Sequence, residues 1–259
     1  MNLRRNIGLI LLFARQALAE GYRSSHFGLL WLFAEQLAFI LIFTLVFSRL
    51  MGARLGQFDN PYAFSIYLVG GLLSWNLMTG TLLRLADVYR AKAHFIRKVP
   101  MPLAVLPLFA PLAELMIFAV GAAFYLVFLI LIGHGPASVW WSVPPVLAAL
   151  LVFAYGGGML LGVLNVFFPD IKHMVAILLQ FSFWLTPIVY VPDILPPWVQ
   201  SMLWLNLPYL GIEAVQQAML EQRLPGLAGP LVLALVGLLL GALALFLLRR
   251  LERDIRDLV

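Results

Sequence analysis

Apolar side chains run along this chain in stretches far longer than a soluble core would contain. The longest stretch without Asp, Glu, Lys or Arg covers residues 115–169 and is rich in Leu, Val, Phe and Ala. A helix of about 20 apolar residues crosses the hydrocarbon core of a bilayer, so this stretch is long enough to cross twice. The polar segment at 133–136 is where it would turn. The pattern therefore predicts an integral membrane protein.

The apolar stretches predict helices rather than the strands of a barrel. Backbone groups within lipid must bond to one another, which only helices and closed barrels achieve. The stretches lack the alternation of apolar and polar residues that barrel strands show. We therefore expect an all-α integral membrane protein with six transmembrane helices. The predicted spans are 28–50, 62–86, 103–132, 141–164, 173–191 and 227–248.

The N-terminal residues 1–27 have a different pattern from the spans. Their apolar positions recur at helical spacing: Ile7, Leu11, Ala14 and Leu18. Charged residues gather near the first span, which predicts an amphipathic helix lying in the cytoplasmic interface. The region superficially resembles a secretory signal, but Arg15 interrupts its apolar run, so we favour the interfacial helix.

The segment at 191–225 is also unlike a span, because it contains five prolines and several charges. Proline breaks the interior of a helix. We therefore expect two short helices, at about 197–204 and 209–222, which enter the outer leaflet and return with Trp198 and Trp204 at headgroup depth.

These segments form one transmembrane domain over residues 1–259. Its expected parts are the cytoplasmic interfacial helix (1–27), spans one to five (28–190), a re-entrant segment on the outer side (191–225), the last span (226–248) and a cytoplasmic tail (249–259).

The positions of the charges predict the orientation. The net charge is +5, and 14 of the 17 Lys and Arg residues fall in segments that face the cytoplasm if the N-terminus is inside. The positive-inside rule then places both termini in the cytoplasm. Basic residues distributed in this way indicate contact with membrane lipids rather than with nucleic acid.

The sequence contains no constellation of catalytic or metal-binding residues. There is no cysteine, the four histidines are scattered, and no Gly-Lys pair exists from which to build a phosphate-binding loop. Two acids lie within spans, Glu35 and Glu114, where an ionisable group is costly and indicates function. For Glu35, two roles remain open: a polar contact near the cytoplasmic end of its helix, or a proton relay. Glycine pairs at 158/162 and 237/241 favour close helix packing, within the subunit or between subunits.

The order of several short motifs resembles the membrane subunits of ATP-binding-cassette exporters for bacterial surface polysaccharides. The motifs are GYRSSHFGLLW at 21–31, NPY at 60–62, GGL at 70–72 with Trp75, FIRKVPMP at 95–102, LNVFFPD at 164–170, WLTPIVY at 184–190 and LNLP at 205–208. The match covers nearly the whole chain. The run at 184–190 is most similar to exporters of O-antigen and teichoic acid.

This resemblance implies a homodimer in the bacterial inner membrane that pairs with two ATP-binding subunits. It would move a lipid-linked polysaccharide, with O-antigen as the favoured substrate, through a channel between the protomers. Segment 191–225 would gate the periplasmic mouth of that channel. The chain itself would hold no cofactor, since the partner binds ATP and Mg²⁺. The residues expected to couple to the ATPase are Arg4, Arg5, Arg15, Arg90, Lys92, Arg97 and Lys98. The channel and gate candidates are Trp31, Glu35, Phe39, Trp184, Tyr190, Trp198, Glu213, Gln216 and Gln217.

Two other classes of protein remain alternatives. A membrane-embedded glycosyl- or acyltransferase would need a cluster of carboxylates or histidines at one interface. A proton-coupled secondary transporter would show broken spans in corresponding halves of the chain. Within the second predicted short helix, Glu213, Gln216 and Gln217 share one face, and we expect that face to line the outer mouth.

Overall fold

The computed structural model describes residues 3–20, 30–43, 45, 60–98 and 102–259. Within these residues the regular elements are all helical, as predicted. The α-helices are α1 (Leu3–Glu20), α2 (Leu30–Phe43), α3 (Ala63–Ala86), α4 (Val88–Ala91), α5 (Ala93–Lys98), α6 (Phe109–Leu131), α7 (Val143–Phe167), α8 (Ile171–Leu185), α9 (Pro197–Gln200), α10 (Leu207–Gln216), α11 (Ala228–Arg250) and α12 (Glu252–Leu258). Short 3₁₀ turns precede α6, α7 and α9, and another lies between α9 and α10.

Four of the described helices are long and apolar enough to cross a membrane: α3, α6, α7 and α11. Their bounds agree with the second, third, fourth and last predicted spans to within a few residues. The predicted turn between α6 and α7 is present. Gly133 adopts a φ of 76°, a left-handed conformation that glycine allows without strain.

The fifth predicted span is shorter than the apolar stretch that predicted it. α8 has 15 residues, a length of about 22 Å, whereas the hydrocarbon core is about 30 Å thick. The helix ends because Thr186, which precedes Pro187, is extended at φ −96° and ψ 125°. A residue before proline disfavours the helical conformation, although the apolar composition continues to residue 191. Hydropathy alone therefore placed the end of this helix too late.

The first predicted span is described only in part. α2 has 14 residues, and most of the rest of the predicted 28–50 stretch lies outside the described residues. Its exposed apolar side chains include Trp31, Phe33 and Leu41.

The buried side chains form two clusters. One gathers residues from the chain termini and the first loop after α3, including Phe13, Val88 and Ile255. We call this end of the bundle the inner end, because most of the predicted cytoplasmic basic residues flank it. The other cluster fills the rest of the bundle around α3 and extends to Ile188 and Ile212. We call the end that contains residues 186–225 the outer end.

The long helices approach one another at glycines. A methyl group built on Gly156 of α7 would overlap the carbonyl oxygen of Gly237 of α11. Gly158 and Gly162 of α7 pack instead on Leu85 of α3, since a Cβ built on Gly158 would lie 2.7 Å from the Leu85 Cβ. Both glycine pairs predicted from the sequence therefore pack within the subunit.

α1 packs through one side on the inner end of the bundle. Phe13, Ala14 and Ala17 are buried, whereas Ile7 and Leu11 are exposed. An apolar face therefore remains on the outside of this helix, which suits a helix that lies at the surface of a membrane.

The proline-rich segment folds into short helices, as the sequence predicted. α9 is followed by a 3₁₀ turn at Leu203–Leu205, and α10 continues as one π-helical turn, Gln217–Glu221. Gln222 then adopts a left-handed φ of 51° and ends the helix.

We expect Gly156→Ala to destabilise the protein, because its methyl group would separate α7 from α11. Overpacking of this kind costs about 1–3 kcal/mol. Gly157→Ala is the matched control, since a Cβ there meets only the Leu240 side chain at 3.8 Å. Thermal unfolding in lipid nanodiscs should show a lower midpoint for Gly156→Ala alone. Equal midpoints for the two variants would contradict the close crossing.

Candidate functional site

A group of polar contacts at the outer end joins α3 and α10 to the turn after α8. The Tyr67 hydroxyl donates to the carbonyl oxygens of Pro187 at 2.9 Å and Tyr190 at 3.2 Å. The Gln216 side-chain amide donates to the same Pro187 oxygen at 3.4 Å. Gly71 leaves the room that this amide needs, because a Cβ there would lie 2.6 Å from Gln216 Nε2. We call these four contacting groups and Gly71 the outer hub.

Asn206 attaches the start of α10 to the end of α8. Its side-chain amide donates to the Leu185 carbonyl at 3.2 Å and to the Thr186 hydroxyl at 3.0 Å. Its side-chain oxygen accepts from the Tyr209 backbone N–H at 3.3 Å, as a helix N-cap does. Because one side chain serves both helices, α10 is held against the turn that follows α8.

The predicted polar face of α10 is divided between surface and interior. Gln216 is only 2% exposed and serves the outer hub, so the expectation that it lies on the surface of the outer mouth is wrong. Glu213 and Gln217 are half-buried. The apolar residues expected to pack inward, such as Ala214 and Val215, are buried as predicted. Helical spacing placed these residues correctly relative to one another, but Gly71 opens the interior to a large amide.

Glu213 lies one helical turn after Tyr209, near its hydroxyl. Burial raises the pKa of the Glu213 carboxyl above its usual range, and the interaction with Tyr209 opposes part of the rise. The group is a half-buried acceptor at the outer end.

The other gate candidates whose side chains the structure describes lie on separate elements. Trp184 and Trp198 are exposed, and Tyr190 donates from its hydroxyl to the Trp184 carbonyl at 3.0 Å. Trp31 lies on α2 and is half exposed. The side chains of Glu35 and Phe39 lie outside the described part of the chain.

α8 has an exposed apolar face. Only Val175 of this helix is buried, while Ile177, Phe181 and Trp184 are exposed. The exposed Gln180 lies among them and lines a groove with Thr79 of α3. A polar side chain on the surface of a helix this apolar indicates a neighbour other than lipid.

The buried acid Glu114 has a partner that the sequence analysis missed. Arg84 Nη2 lies 2.6 Å from Glu114 Oε1, and Arg84 Nε donates to the same oxygen at 2.8 Å. A methyl group on Gly80 would collide with this carboxylate. The sequence contained a signal for this pair, because Arg84 and Glu114 are the charged residues of two otherwise apolar helices and lie near the ends that the inner loop connects. The ion pair explains how α6 carries an acid without leaving an isolated charge.

A second polar cluster joins three helices at the inner end. The Lys172 ammonium lies 2.6 Å from the Asp87 carboxylate, and Asn165 donates to the same carboxylate at 3.5 Å. Asn165 also accepts from the Lys172 backbone N–H at 3.2 Å, and its own carbonyl accepts from Arg90 at 3.3 Å. We call this the inner cluster. An exposed ion pair contributes little energy, so its role is to position the ends of α3, α7 and α8.

The two elements expected to meet an ATPase form one surface. Phe13 of α1 packs edge-on against Phe95 of α5 with 4.6 Å between ring centroids. The Lys92 ammonium lies 5.6 Å from the Phe13 ring centroid and 5.8 Å from that of Phe109, within cation–π range. We call α1, α4 and α5 together the inner platform.

The coupling residues predicted from the sequence lie on this platform. Arg15, Arg90, Arg97 and Lys98 are exposed, and Lys92 is half-buried. The side chains of Arg4 and Arg5 lie outside the described residues.

Comparison with known proteins agrees with the resemblance drawn from the motifs. Residues 8–220 match the family described as ABC-2 type transporter. The chain belongs to the ABC-2 type transporter family. It is 26% identical over 201 residues to an O-antigen export system permease protein RfbA of Klebsiella pneumoniae, covering 76% of this chain and 75% of that protein. It is 28% identical over 238 residues to an RfbA of Myxococcus xanthus, covering 90% of this chain and 88% of that protein.

We expect Gln216→Ala to destabilise this transporter by about 1–2 kcal/mol, because it removes a buried donor and leaves a cavity. Gln217→Ala is the matched control, since its side chain is half-buried and makes no contact with the hub. Its effect should stay within about 0.5 kcal/mol. Thermal unfolding in nanodiscs measures both. If Gln217→Ala destabilised the protein more than Gln216→Ala, the hub would not hold the outer end.

Proposed function

We propose that this chain is the membrane subunit of an ATP-driven exporter of a lipid-linked polysaccharide, with O-antigen as its substrate. The observation that carries the proposal is the family match over residues 8–220, together with two relatives named as O-antigen export permeases. The sequence contains no Gly-Lys pair and so no phosphate-binding loop of its own. A separate ATP-binding subunit supplies the energy, and two copies of it serve a homodimer of this chain in the bacterial inner membrane.

The exposed face of α8 supports a conduit between two protomers. Its apolar and aromatic residues suit a partner helix, while Gln180 and Thr79 offer hydrogen bonds to a passing glycan. Aromatic rings pack against the apolar faces of sugars and still let a polymer slide. Segment 191–225 re-enters the outer leaflet above this conduit, and the outer hub holds its inner surface in place.

The inner platform receives the motion of the ATPase. A displacement of α4 and α5 moves Asp87, which lies between α3 and α4. The ion pair of Asp87 with Lys172 passes this motion to the start of α8. α8 carries the displacement to Pro187 and the outer hub. In this mechanism, nucleotide binding by the partner subunit at the inner end changes how far the outer end is open. No continuous water-filled path forms between the two ends.

Removal of this subunit should stop export. Cells that lack the chain should retain lipid-linked polysaccharide on the cytoplasmic leaflet, where added lectin reaches it only after the membrane is opened. Surface polymer at the wild-type level in such cells would disprove the proposed function.

The same cells test the inner platform. Arg97→Glu with Lys98→Glu should lower export at least about tenfold and reduce recovery of the ATP-binding subunit with the purified chain. The reversed charges would be repelled by a partner surface that attracts the basic residues. Arg249→Glu with Arg250→Glu is the matched control, as it reverses an exposed basic pair at the same end but outside the platform. Equal losses in both double variants would mean that net charge, rather than docking, sets the result.

Cysteine labelling tests the orientation. The chain has no native cysteine, so Ser201→Cys in the outer segment and Asp257→Cys in α12 each introduce a single exposed thiol. An impermeant maleimide added to intact spheroplasts should label residue 201 and reach residue 257 only after lysis. Labelling in the reverse order would overturn the orientation.

A further inference from the structure

The outer segment contains a small polar pocket that the exporter mechanism does not use. It has a volume of about 300 Å³ and lies between the turn at Pro192, α9 and α10. Ligand pockets have volumes of roughly 300–1,000 Å³, so this one has room for a single small ring. Its wall contains Gln200, Trp204, Tyr209 and Glu213. We call it the outer pocket.

The aromatic wall of the pocket is open to solvent. Trp204 is 65% exposed although it belongs to the lining, so one face of its indole is free to contact a ligand. The C–H groups on one side of a pyranose ring form an apolar face that packs on such a ring. Trp198 is equally exposed in the same segment but does not line the pocket. Exposure at headgroup depth therefore does not by itself explain the position of Trp204.

Two polar side chains of the pocket can accept hydrogen bonds from a ligand. The Glu213 carboxylate lies one helical turn after Tyr209, and a carboxylate can accept hydrogen bonds from two adjacent hydroxyl groups. The Gln200 amide nitrogen donates to the Leu195 carbonyl at 2.9 Å, which holds this side chain at the pocket wall. Asn206 caps the helix that carries both Tyr209 and Glu213. A ligand would therefore find ordered acceptors rather than mobile side chains.

The charge of the pocket selects among glycans. Glu213 is the one charged residue among the seven that line it. A carboxylate attracts hydroxyl groups but repels phosphate and uronate groups.

We propose that the outer pocket binds a neutral sugar ring of the emerging polysaccharide, with Trp204 stacked on its face and Glu213 bound to its hydroxyl groups. This inference rests on the proposed function for the source of the glycan, but its binding chemistry does not. The pocket would favour neutral hexose polymers over those built from polyol phosphates. A sugar ring bound there would keep the polysaccharide from moving back between cycles of ATP hydrolysis.

Saturation-transfer NMR tests the proposal on the full chain with its ATP-binding subunit. The complex is placed in lipid nanodiscs, because detergents with sugar heads would compete, and no nucleotide is added. The probes are mannotriose and glycerol 3-phosphate. We expect mannotriose to bind and glycerol 3-phosphate not to compete. Trp204→Ala should weaken mannotriose binding at least about tenfold, as the loss of an aromatic anchor commonly does.

Trp141→Ala is the matched control, because Trp141 is 83% exposed at the outer end and lies away from the pocket. It should leave mannotriose binding unchanged, and Glu213→Gln should weaken it. No saturation transfer to the wild type, equal loss in both tryptophan variants, or competition by glycerol 3-phosphate would each overturn the pocket proposal. None of these results depends on export, so failure of the pocket proposal is distinct from failure of the proposed function. The cells that lack the chain test the proposed function separately.

Discussion

Close contact between helix backbones is the constraint on which the rest of this structure depends. Lipid tails are as apolar as leucine side chains, so apolar burial does not hold helices together within a bilayer. The bundle instead relies on positions where side chains are small enough for backbones to meet. Gly156 faces Gly237 across the α7–α11 contact, and Gly158 and Gly162 bring α7 against α3. These contacts join α3, α7 and α11 into one unit, and α6, α8 and α10 pack against it.

Polar contacts then attach the more exposed elements, α8 above all, to this unit. α8 exposes one apolar face and is bound at both ends, by the inner cluster at Lys172 and by the outer hub at Pro187. Glycines again make such polar contacts possible, because Gly71 admits Gln216 and Gly80 admits the Glu114 carboxylate. The other face of α8 packs on the core through Val175, Leu179 and Phe183. A helix that is bound at both ends suits the proposed coupling between an ATPase and an outer gate.

The same arrangement explains why the proposed glycan pocket lies at the outer end. The groups in the spans satisfy one another, as Arg84 does for Glu114, and so leave few free hydrogen-bonding groups in the bundle interior. In the outer segment, prolines interrupt the helices and bring side chains from separate turns together. A pocket that contains an amide, a phenol, a carboxylate and an indole forms there because the local backbone is irregular.

The sequence by itself determined the membrane character, the helical class, four of the long helices and the broken outer segment. Hydropathy, charge position and proline content are properties of single segments, and lipid leaves few alternatives to a helix. Tertiary structure alone decided which helices meet. It turned Gln216 inward, paired Arg84 with Glu114 and joined α1 to α5 through Phe13 and Phe95. It also placed Trp204 and Glu213 on the wall of one pocket, which helical spacing could not show because the two residues lie on different elements. Such contacts depend on distances between segments that are far apart in the chain, and no local pattern contains those distances.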